Sequence, residues 1–176
     1  MDVRDVVVVT GPPGAGKSAA AEELVALLDP SALVAGDSFF AFLRGGAIAP
    51  WLEHAHRQNI AVTQAAAAAI GKLAGHCDVV YDGIVGPWLL DSFLAATHLD
   101  HLHYVMLLPP LETCLSRVSS RQGHGFADLD AAAHMWREFD QAEIDSRHIL
   151  DNDQRTPAEL ARTLVDKLSD ATIRYP

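Results

Sequence analysis

Cysteine is scarce in this chain of 176 residues. Only Cys77 and Cys114 occur, each in or beside an apolar run and neither with metal-ligand spacing around it. That excludes a disulfide-stapled scaffold and a cysteine-built metal centre, and implies a reduced, cytoplasmic setting. Basic residues are also short: 13 Lys+Arg stand against 23 Asp+Glu, a formal net charge of −10. A surface of that sign repels polyanions, so neither nucleic acid nor an anionic membrane is an expected partner. No apolar run approaches the roughly 20 residues that span a bilayer. The longest uncharged stretch, 60–71, is alanine-rich and reads as a buried helix. The basic region, apolar run and small-residue cleavage site of a leader peptide are missing. So are repeats, low-complexity linkers and charge blocks, so residues 1–176 read as a single domain. Nothing in the pattern specifies an oligomeric state.

What is present is an alternation of short β-branched runs with longer helical ones. Strands are expected at 6–10, 32–35, 78–81, 103–108 and 147–150. Helices are expected at 18–28 (with Leu24, Leu27 and Leu28 on one side), 58–73, 89–96, 111–121 and 130–144. A last helix is punctuated by Thr156 as N-cap, Pro157 at its first position and Glu159 three after the cap. Five strands alternating with helices imply an α/β fold, a five-stranded parallel sheet with helices on both faces. Ligands of such sheets bind beyond the carboxyl ends of the strands. The first three strands lead into Gly11–Ser18, Gly36-Asp37-Ser38 and Asp82-Gly83 respectively.

Gly11-Pro12-Pro13-Gly14-Ala15-Gly16-Lys17-Ser18 matches the G-x-x-x-x-G-K-[ST] phosphate loop in full, after a buried strand and before a helix. The glycines let the backbone turn and aim its N–H groups at phosphate oxygens, and the helix N-terminus adds favourable potential for an anion. Lys17 is expected on the β- and γ-phosphates of ATP and the Ser18 hydroxyl on Mg²⁺. Asp82 is a candidate metal ligand, its bland alternative being an Asp-Gly turn. Asp37 is a candidate for accepting or orienting the proton of an acceptor hydroxyl, its alternative being the cap of a helix over 39–43.

Arg117 and Arg121 lie one helical turn apart and precede Gly123-His124-Gly125-Phe126. Two arginines on one face before a glycine-hinged stretch suit a lid, about 117–130, that closes over phosphates and excludes water, with Arg121 helping to stabilise the transferring group. Region 37–60 mixes aromatics with polar donors, as an acceptor pocket requires. Its candidates are Asp37, Phe39, Phe40, Arg44, Trp51 and Asn59, with Asp82 and Trp88 beside it. His54 and His56 lack the carboxylate or cysteine partner that a metal site needs.

From Val6 to the last helix the chain resembles the small P-loop kinases related to gluconate kinase, shikimate kinase and chloramphenicol phosphotransferase. The residues that carry the resemblance are the phosphate loop, Arg117 and Arg121 before Gly-His124-x-Phe126, and Met135-Trp136-x-x-Phe139. It implies a three-layer P-loop NTPase fold with a small lid, ATP and Mg²⁺, and a small-molecule acceptor. It also implies Asp37 against the acceptor hydroxyl, Arg117 near the adenine, and 153–157, with Arg155 and Pro157, as the adenine-side loop. The stretch after Asp37 does not match a gluconate pocket, the paired arginines of a shikimate site are not seen, and the lid carries an extra Gly125. The acceptor stays open, with an aromatic, amphiphilic, antibiotic-like or sugar-like alcohol in view. Two alternatives stand beside it: a nucleic-acid-end or nucleotide kinase, and a non-catalytic ATP-binding regulatory module.

Overall fold

Four consecutive valines leave a strand no face to give to water, so Val6–Thr10 has to be covered on both sides. The computed structural model describes residues 4–120 and 128–176, and in it Val7, Val8 and Val9 are fully buried. Along the chain the strands are β1 (Val6–Thr10), β2 (Ser31–Ala35), β3 (Asp78–Asp82), β4 (Leu102–Leu107), β5 (Ile149–Leu150) and β6 (Arg174–Tyr175). The first five pair in parallel in the order β2-β3-β1-β4-β5, the sheet the sequence implies. The sequence reading missed β6, which pairs antiparallel with Leu102 and His103 of β4. A two-residue strand has too little pattern to be read. It fills the part of the β4 edge that the equally short β5, paired at Met106 and Leu107, leaves open.

The helices are α1 (Lys17–Val25), α2 (Gly36–Phe40), α3 (His56–Leu73), α4 (Pro87–Thr97), α5 (Leu111–Ser120), α6 (Leu129–Asp140) and α7 (Pro157–Ser169). One face of the sheet is covered by α1 and α7, whose Leu24, Leu160 and Leu164 cluster with Val7, Val9 and Leu107. On the other face Ile70 of α3, Leu90 and Phe93 of α4 and Phe139 of α6 cluster with Val6, Val8 and Tyr104. The α7 start carries both halves of the expected Thr156–Glu159 capping box.

Some bounds differ from expectation. Helix α1 stops at Val25 because Leu27 and Leu28 donate to the carbonyls of Leu24 and Val25, three residues back, which tightens the chain into a turn. Leu24 is therefore buried while Leu27 is 53% exposed. Helix α6 ends at Asp140, short of residue 144. The alanine-rich helix is buried on one side only, through Val62, Thr63, Ala66, Ala67 and Ile70. No helix among the described residues is long and apolar enough to cross a membrane.

Register brings the strand ends level. Ala35 of β2 and Val9 of β1 both pair with Asp82 of β3, and Thr10 pairs with Met106 of β4. The chain therefore leaves the sheet at Gly11, Gly36 and Gly83 along one edge. The loop after Asp82 is held there by two buried hydrogen bonds to one residue. Val85 N–H donates to Thr10 Oγ1 at 2.9 Å, and Tyr104 Oη donates to the Val85 carbonyl at 2.8 Å. Thr10→Val keeps the shape but orphans the Val85 N–H. It is expected to lower unfolding stability by about 1–3 kcal/mol, read from the urea midpoint.

Candidate active site

The phosphate loop is shaped by close approach as much as by torsion. Gly14 has φ +82°, and a Cβ there would lie 2.3 Å from the Cys114 carbonyl oxygen. Gly16 is the N-cap of α1 in the left-handed region, φ 93°, and supplies no side-chain capping bond. The N-cap side chain thus offers the first turn of α1 no acceptor, and a helix start of this kind suits an anion. Lys17 Nζ donates to the Pro12 carbonyl at 3.0 Å, and Ser18 stands exposed on the first turn.

Three carbonyls of this loop are engaged by side chains. Besides the Lys17 bond, Arg117 Nη1 donates to the Gly14 carbonyl at 3.3 Å and Asn152 Nδ2 to the Ala15 carbonyl at 2.9 Å. Asn152 is 6% exposed and its Oδ1 has no partner. One turn before Arg117 on α5, Thr113 Oγ1 donates to Asp153 Oδ1 at 2.8 Å, so α5 and the loop after β5 brace each other behind the phosphate loop. With its carbonyls tied, the loop can turn N–H groups other than that of Ala15, which donates to the Pro12 carbonyl at 3.1 Å, toward a ligand. Sequence reasoning found Arg117 but missed Asn152 and Thr113. The available signal was position: Asn152 adjoins the expected adenine-side loop. In that loop Arg155 is exposed and donates to Thr163 Oγ1 at 3.1 Å, and Pro157 opens α7.

Asp37 lies in the first turn of α2 and is exposed. The N-cap is Ala35, with no side-chain capping bond, so the cap alternative for Asp37 does not describe this geometry. Asp82 closes β3, half-buried and in register with Val9, two residues before the phosphate loop begins. Among the described residues no three of His, Cys, Asp and Glu gather as a metal site. One hydroxyl, Ser18, and one carboxylate, Asp82, with phosphate oxygens completing the shell, is the donor set that suits Mg²⁺.

On the acceptor side Phe39 meets Phe42 edge-on, ring centroids 5.4 Å apart. Phe40 is half-buried, while Arg44 and Trp51 are exposed. Asn59 Nδ2 donates to the Pro50 carbonyl at 2.7 Å, and Gln58 bonds both the N–H and the carbonyl of Ile48 at 2.8 and 2.7 Å. These two amides pin the 48–50 loop to α3, so the Asn59 amide serves the wall of the region. Trp88 stacks on Phe139 at 5.1 Å and borders a cleft of about 400 Å³ shared with Glu138, Gln141 and Glu143. Arg121, Gly123, His124, Gly125 and Phe126 lie outside the described residues.

A family model described as the AAA domain matches residues 6–143. No curated protein matches in sequence. Among solved structures, the Deinococcus radiodurans tunicamycin resistance protein superposes with a TM-score of 0.71 at 16% identity, covering 94% of this chain and 95% of that one. A gluconokinase from Sinorhizobium meliloti 1021 gives 0.63 at 18% identity, covering 96% and 93%. A chain of the Pnkp1/Rnl/Hen1 RNA repair complex gives 0.56 at 16% identity, covering 80% of this chain and 46% of that one. At these identities the likeness is one of fold, and that fold gives no ground for excluding a nucleic-acid acceptor.

Asn152→Ala frees the Ala15 carbonyl without touching a residue of the phosphate loop. Its expected effect is weaker Mg-ATP binding by about tenfold, measured by calorimetry, with the fold retained by circular dichroism.

Proposed function

We propose, from the premise that the chain belongs to the AAA domain family, that it transfers the γ-phosphate of ATP to a hydroxyl of a small molecule. The observation that carries the proposal is the shared sheet edge. Asp82 ends β3, and the phosphate loop and Gly36-Asp37 follow β1 and β2, the three strand ends being in register. Kinase-like folds among the solved structures support phosphoryl transfer as the reaction class.

The N–H groups of the loop and Lys17 bind the phosphates and offset the charge that spreads over the transferring group. Ser18 and Asp82 are the residues that would hold Mg²⁺, which when bound neutralises phosphate charge and fixes the phosphate geometry. Asp37 takes the acceptor proton as the acceptor oxygen bonds to the γ-phosphorus. The bond from that phosphorus to the β–γ bridging oxygen breaks, and ADP leaves with the electron pair. Arg117 and Arg121 belong to the proposed lid side, with Arg155 and Pro157 beside the adenine. The aromatics Phe39, Phe40 and Trp51, with Arg44, Asn59 and Trp88, are proposed to surround the acceptor, favouring an amphiphilic alcohol of antibiotic or sugar type.

A second reading, a kinase of nucleic-acid ends, is favoured by the likeness to a chain of an RNA repair complex and opposed by the net charge of −10. A panel of acceptors assayed with Mg-ATP separates the two: gluconate, tunicamycin and a 5′-hydroxyl oligonucleotide. Stimulated ADP release by a small alcohol is expected, and stimulation by the oligonucleotide alone selects the second reading. Asp37→Asn is expected to lower acceptor-dependent turnover by about 10²–10⁴-fold while ATP affinity stays within about twofold. Full turnover in that variant removes Asp37 from the mechanism.

A further inference from the structure

We propose that the Tyr81 hydroxyl is a positioning group for Asp37, holding one carboxylate oxygen so that the other faces the acceptor. This rests on the phosphotransferase reading above.

Tyr81 lies on β3 with its ring in the core, 5.2 Å from the Phe93 ring and 2% exposed. Its tip ends between two glycines. A Cβ on Gly36 would lie 2.5 Å from Tyr81 Oη, and one on Gly83 would lie 2.5 Å from both Oη and Cζ. Neither glycine has a left-handed φ. What requires glycine at both places is room for the phenol. They are also the chain neighbours of Asp37 and Asp82, so a side chain is given up beside each carboxylate to admit one hydroxyl.

That hydroxyl makes no hydrogen bond to another described residue, and it keeps contact with solvent at the strand-end edge rather than being sealed in the core. An open hydroxyl at the end of an otherwise buried ring can take a partner at that edge, which phenylalanine could not. The hydroxyl is therefore available to a partner that the working site supplies. Burial first, then the charges of Asp37 and Asp82, hold the phenol protonated. It is a neutral donor at the strand-end edge that carries both carboxylates. Successive strand residues point to opposite faces, so Asp82 projects away from the Tyr81 side, toward α1 and the phosphate loop. Asp37, on the turn that Gly36 opens against Oη, is the carboxylate on the phenol's side. During transfer the acceptor proton passes to one Asp37 oxygen. Tyr81 keeps its own proton and donates a hydrogen bond to the other, as the third group that orients a general base.

The test measures ADP release from Mg-ATP, with water and with the acceptors of the panel, in wild type, Tyr81→Phe, Asp37→Asn and the double variant. Tyr81→Phe is expected to lower kcat about tenfold, leave KM for ATP unchanged, and add nothing in the Asp37→Asn background. Its Tm is expected not to fall, because only an unpaired hydroxyl is lost. A purely structural role predicts the reverse, a lowered Tm with kcat intact. Unchanged kcat, or effects that multiply in the double variant, overturns the proposal and leaves the phosphotransferase reading standing. No turnover in wild type removes that reading, and the role of Tyr81 with it.

Discussion

Every other feature of the site depends on a conflict within the phosphate loop. A backbone that turns its N–H groups inward to an anion turns its carbonyls outward, into protein. Those carbonyls need donors or the loop is not stable in that shape. Here the donors are Arg117 from α5, Asn152 from the loop after β5, and Lys17 across the loop itself. The α5–β5 corner is therefore part of the nucleotide side even where it touches no phosphate. The Thr113–Asp153 bond makes that corner one unit. Any movement of α5 is transmitted to the Gly14 carbonyl through Arg117.

How far the sequence could be read depends on sequence separation. The phosphate loop was legible because its eight residues are contiguous and their spacing is fixed by the anion they surround. The parallel sheet was legible because Val6–Val9 admits no half-exposed strand, and the α7 start because capping is local. Arg117 and Asn152 bond carbonyls 103 and 137 residues away, and no local pattern encodes such a pairing. Tyr81 was hidden for another reason. In a run of Val79-Val80-Tyr81 an aromatic reads as core, and its ring is core; only the hydroxyl, between two glycines from different strand ends, departs from that role. Asn59 shows the converse. A polar residue in a candidate pocket reads as a ligand-facing group, and one end of its amide, Nδ2, is already committed to the Pro50 carbonyl.

The two halves of the site differ in how tightly they are held. The nucleotide side is fixed by buried bonds to the sheet and to α5. On the proposed acceptor side the five-residue α2 and the loop after it present Phe42 at 71% exposure and Trp51 at 39%, and the side chains of Gln58 and Asn59 at the start of α3 fasten the 48–50 stretch. Exposed aromatic surface on a lightly fastened loop adapts to a ligand at small cost in lost bonds, whereas a phosphate cradle that adapted would lose its alignment. On the proposed function, a chain built this way fixes what all acceptors share, the donor phosphate, and leaves acceptor choice to the segment with the fewest structural obligations. The fold is thus readable from the rigid half, and under the proposed function the identity of the acceptor is encoded in the half that carries least of the fold.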